Sequence, residues 1–131
     1  MLVTILVAAG SVITICFGLW HFFVPGIWKW YSYMAPDATE LVLAVRAINA
    51  LFSLCLVLFG IVNIILINSD LPDRFPVIVM LSATSILWLT RVVLQLVYPQ
   101  GSRTPALQYG MLSIFTLVSL CFLISLYLVV S

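Results

Sequence analysis

Eight side chains in or beside apolar runs could do chemistry: His21, Glu40, Arg46, Asn49, Trp88, Arg91, Gln95 and Tyr98. A charged or amide group in apolar surroundings is costly unless it is paired, so each marks either a structural contact or a site. Arginine keeps its charge when buried, and its planar fork suits carboxylate or phosphate. Arg46, Arg91 and His21 against the one nearby carboxylate, Glu40, predict an electropositive pocket. Its ligand would be an anionic lipid head group, a carboxylated amphiphile or the carbonyl of a quinone. The structural alternative stays open. In it the arginines snorkel to an interface, or one pairs with Glu40 and joins two helices.

Other chemistries find less in the sequence. His21 is the only histidine, so a two-histidine haem site would need a second chain. Its commoner role is a hydrogen bond to a neighbouring helix, since no motif sets a Ser or Cys nucleophile beside it. No nucleotide-binding, zinc-protease or nucleophile-elbow motif occurs. Cys16, Cys55 and Cys121 fall singly near the middle of apolar runs and read as packing residues, not metal ligands. No metal and no cofactor is expected, a bound quinone or lipid aside.

The elements that must position these residues are long apolar runs. The chain is 65% hydrophobic and 7% charged, with a mean hydropathy of +1.30, too few charges to cover a water-soluble surface. Net charge is +1 and no basic run occurs, which excludes nucleic acid as a partner. Runs at 2–24, 40–67, 76–98 and 105–130 reach the roughly 20 residues that a helix needs to cross a bilayer. The first reads as a retained helix, because no basic residue precedes it and it is long for a leader. The expected fold is all-α: residues 1–131 as a single transmembrane domain, a four-helix antiparallel bundle running up-down-up-down through short loops. Asp37-Ala38-Thr39-Glu40 has the form of a capping box, Asn68–Asp73 of a turn, and Thr104-Pro105 of an N-cap followed by proline.

Small and polar residues recur at helical spacing: Gly10, Thr14, Gly18, His21, Pro25; Arg46, Asn49, Ser53, Gly60, Asn63; Thr84, Trp88, Arg91, Gln95, Tyr98; and Tyr109, Ser113, Thr116. Each set is expected to turn inward, with Gly10-Thr14-Gly18 allowing close helix approach. The eight candidates then share the end that carries the first and third loops. Lys29 and Arg103 on those loops put that end in the cytoplasm and both termini outside. Trp20, Trp28, Lys29, Trp30, Tyr31 and Tyr33 read as interfacial anchors there.

The glycine-bearing first run ending Phe23-Val24-Pro25, Arg46-Ala47-Ile48-Asn49 before a long apolar run with Gly60, and Arg91 late in the third run together resemble small DoxX-like bacterial membrane proteins. The resemblance spans the whole chain at the level of architecture. It implies a bacterial inner-membrane protein and brings no reaction or catalytic residue. The expected role is a small non-enzymatic component of a membrane complex, with the bilayer and other subunits or a second copy as partners. Binding or processing of an anionic or quinone-like amphiphile is the alternative. Export of a small molecule ranks third, because no carboxylate lies at mid-depth in any run.

Overall fold

The computed structural model describes residues 1–70 and 72–131, and these are helical with short connections. The helices are α1 (Leu2–Ile27), α2 (Thr39–Ile67), α3 (Phe75–Val97) and α4 (Pro105–Val130), and the 3-10 turn Trp30–Tyr33 lies between α1 and α2. All four long helices are long and apolar enough to cross a membrane.

The helix ends depart from expectation in two places. Helix α1 does not stop at Val24 but runs through Pro25 to Ile27. Helix α2 starts at Thr39 with Ala38 as its N-cap and no side-chain cap bond, so the capping box does not form. Proline starts α4 as expected. At the start of α3, Asp73 Oδ1 accepts the Phe75 N–H at 2.9 Å, beside Pro76 in the first turn. The turn read at Asn68–Asp73 includes Leu71, which lies outside the described residues.

Packing in lipid rests on close contact and interhelical hydrogen bonds, because lipid tails remove most of the hydrophobic drive. The α1–α2 seam is the most extensive and the α2–α3 seam the sparsest of the adjacent pairs. Glycines let α1 and α2 touch. A Cβ on Gly18 would sit 2.9 Å from the Ser53 carbonyl, and one on Gly60 would sit 2.5 Å from Ile15 Cγ1. The core holds Val7, Leu56, Leu81, Trp88, Phe115, Val118 and Phe122. Trp88 is fully buried, packs against Phe17 and Phe115, and donates from Nε1 to Thr14 Oγ1 at 3.1 Å. Asn63 donates from Nδ2 to Thr84 Oγ1 at 2.8 Å and joins α2 to α3.

The outer surface is apolar, with Leu51 62% and Ile86 65% exposed. The polar sets of α1, α2 and α3 largely turn inward. That of α4 does not: Tyr109, Ser113 and Thr116 are exposed, and Phe115, Val118, Ser119, Phe122 and Ser125 face the core. The reason is local. Ser113 and Thr116 donate to the carbonyls of Tyr109 and Leu112 one turn back, so their hydroxyls need no partner across the bundle. Aromatic bulk then selects the buried face. Of the cysteines, Cys121 is buried, while Cys16 and Cys55 face outward, away from the packing role expected of them.

Candidate functional site

The site begins with a missing donor. Pro25 has no N–H, so the His21 carbonyl one turn back loses its helical partner. Asn49 of α2 replaces it, donating from Nδ2 to the His21 carbonyl at 3.1 Å. A freed carbonyl inside a long apolar helix is tolerated where a neighbouring helix supplies a donor. One proline on α1 therefore fixes a buried amide on α2. Ser53 Oγ donates to the Asn49 carbonyl at 2.7 Å, a bond within α2 one turn back.

The C-terminal turns of α3 hold the next groups. Arg91 is half-buried, and its guanidinium lies 4.5 Å from the centre of the Phe115 ring. Its Nη2 donates to Gln100 Oε1 at 2.6 Å. Gln95, four residues on, is buried and donates from Nε2 to the Gln100 backbone carbonyl at 2.9 Å. Gln100 is thus clipped to α3 twice, once by its side chain and once by its backbone.

Two hollows meet at Arg91. A lateral cleft of about 340 Å³ opens between α2 and α3, with Phe52 and Leu56 on one wall, Ala83, Leu87 and Leu94 on the other, and Phe17 and Trp88 behind. Arg91 is the one charged residue lining it. A second hollow of about 20 Å³, roughly the room for one water, lies among Trp20, His21, Trp28, Trp30, Arg91 and Gln100. The His21 ring packs edge-on against Phe52 and Trp30. Lys29 takes the left-handed conformation (φ 51°), which turns the chain sharply between Trp28 and Trp30. Both indoles then border the hollow.

The eight candidates therefore divide. His21, Asn49, Trp88 and Arg91 lie where α1, α2 and α3 meet, whereas Gln95 bonds the carbonyls of Gln100, in the connection to α4, and of Gln108 in α4. Arg46 is exposed, with its guanidinium 4.7 Å from the centre of the Tyr31 ring. Glu40 is exposed in the first turn of α2, and Tyr98 is 72% exposed at the end of α3. The pocket side thus holds Arg91 and His21 without the second arginine or the carboxylate. Among the expected anchors, Trp20, Trp28 and Trp30 also line the small hollow, Tyr31 carries Arg46, and Lys29 and Tyr33 are exposed. Among the described residues no group of three His, Cys, Asp or Glu side chains is placed to hold a metal.

Phe17, Gln100 and Phe115 were not among the candidates. Phe17 had a signal, lying four residues before His21 on one helical face. Pro25 also had one, because a proline inside an apolar helix frees the carbonyl four residues earlier. Gln100, in a connection, had none. Comparison with family models, with curated proteins and with solved structures returns no match.

The arrangement offers one half-buried permanent cation at the edge of an apolar cleft, and its side-chain partner is a neutral amide. It can hold an oxyanion by a forked pair of hydrogen bonds and an acyl chain by dispersion.

Proposed function

We propose that the chain is an integral membrane protein that binds an anionic amphiphile in the α2–α3 cleft. Arg91 holds the head group, and the apolar walls hold the chain. The observation that carries this reading is Arg91, the charged residue in the lining of a mostly apolar cleft that also includes Thr90, with its guanidinium bonded to a neutral amide. A cleft of about 340 Å³ is at the small end of ligand sites and suits a single acyl chain.

Four spans with apolar outer faces support insertion in a bilayer. The pairing of Gly18 with Ser53, Gly60 with Ser11 and Gly10 with Phe122 supports an up-down-up-down antiparallel order. Lys29 and Arg103 favour loops 1 and 3 in the cytoplasm and both termini outside, and the DoxX-like resemblance adds a bacterial inner membrane.

The test is native mass after release in a gentle detergent. The wild type should carry an adduct of lipid-like mass, and Arg91→Leu should lose it while keeping its helical content. An equal adduct on Arg91→Leu contradicts the reading, and an adduct identified as a quinone moves the ligand class from anion to carbonyl.

A second reading, an accessory subunit, draws on the outward face of α4. Tyr109, Ser113 and Thr116 are exposed there, and Gly110 has open space around it. Small residues of this kind let helices approach. Recovery of a stoichiometric partner in mild detergent, lost with Gly110→Leu, is the expected outcome under this reading.

A further inference from the structure

We infer that Gln100 sets the charge preference of the cleft, holding Arg91 in place without neutralising it. The inference rests on the amphiphile-binding reading above and names the residue that decides which head group is taken.

A half-buried arginine ordinarily finds a carboxylate, which shares its charge through two parallel bonds. Here the four acidic residues, Asp37, Glu40, Asp70 and Asp73, are all exposed. Arg91 is held instead by the amide oxygen of Gln100 at 2.6 Å and by the face of Phe115. Both contacts orient the guanidinium and neither cancels its charge. Gln100 borders the small hollow and is absent from the cleft walls, whereas Arg91 borders both. The guanidinium is therefore steadied from the loop side, and the Gln100 oxygen accepts from only one of its nitrogens. A glutamate at the same position would be isosteric. It would form the forked pair with Arg91 and remove the attraction for a second anion.

The side chain can be changed without undoing the loop. Gln95 donates to the backbone carbonyl of Gln100, not to its side chain, so neither Gln100→Glu nor Gln100→Ala removes that clip. Gln100 is exposed, and no core contact depends on it.

The experiment compares two probes that differ only in head group, oleate and the uncharged oleyl alcohol, on detergent-solubilised wild type, Gln100→Glu, Gln100→Ala and Arg91→Leu. The readout is the ratio of the two affinities. Wild type should favour oleate by at least about tenfold, the scale of one charge-assisted contact. Gln100→Glu should bring the ratio close to one while leaving oleyl alcohol binding unchanged, a pattern that misfolding would not give. Gln100→Ala, which frees the guanidinium without adding a charge, should lower the ratio without bringing it to one, and an unchanged ratio would show that Gln100 does not hold Arg91 for the head group. A wild-type ratio in Gln100→Glu overturns the inference while leaving the cleft reading intact. A wild-type ratio in Arg91→Leu, or no oleate binding by wild type, overturns the cleft reading and this inference with it.

Discussion

Helix α2 has two neighbours and meets them in opposite ways. Against α1 it presents Asn49, Ser53 and Gly60, and the backbones approach until a Cβ on Gly60 would meet Ile15 at 2.5 Å. Toward α3, Phe52 and Leu56, which also touch His21 and Gly18 of α1, line a seam that opens into a cleft with Arg91 at its side. Near its C-terminal end Asn63 pins the same seam shut by its bond to Thr84. In lipid, small residues and interhelical bonds hold helices together, whereas large side chains spaced apart leave a gap for another molecule. One seam is closed by small residues, and the other holds the cleft in which the proposed amphiphile would lie.

The comparison is broken most forcefully at Gly60. Gly60→Ala should destabilise the bundle by about 1–3 kcal/mol, because the loss from overpacking exceeds the gain in helix propensity. Thermal unfolding in detergent measures it. A rise in stability would mean that the α1–α2 seam is looser than described.

A smaller loss is expected at Asn49. Asn49→Leu leaves the His21 carbonyl without a partner and should cost about 1–2 kcal/mol. Pro25→Ala restores the N–H to that carbonyl, so the same Asn49→Leu change in that background should cost clearly less. Equal costs in both backgrounds would break the link between Pro25 and Asn49.

The smallest effect belongs to Arg46. Its contact with Tyr31 is exposed, so Arg46→Gln should change stability by less than about 1 kcal/mol and leave amphiphile binding unaltered. A loss of binding as large as that of Arg91→Leu would return Arg46 to the site.

Much of the scaffold was legible in the sequence, because run length and proline position act locally. The four long apolar helices, Pro105 at a helix start and the inward Gly10, Thr14, Gly18, Asn49, Ser53 and Asn63 all follow from apolar length and helical spacing. The face of α4 was not legible. Polarity pointed Tyr109, Ser113 and Thr116 inward, but hydroxyls bonded to their own helix tolerate the outside. The site was legible in part. His21 and Arg91 border one hollow and Asn49 bonds the His21 carbonyl, whereas Gln95 bonds the connection to α4. Arg46, three residues from Asn49, falls on another face and reaches Tyr31. The Pro25–Asn49 link was hidden by ending the first helix at Val24, and Gln100 by its place in a connection, where no periodicity applies.

The central claim, an anionic chain lodged beside Arg91, is tested most directly through Trp88, fully buried and lining the cleft. With Trp20, Trp28 and Trp30 replaced by Phe, Trp88 is the only indole left. Brominated stearate should then quench its fluorescence well beyond the level given by a brominated lipid of zero net charge, and Arg91→Leu should abolish that excess. Equal quenching by the two probes, or an excess that survives Arg91→Leu, would contradict the account.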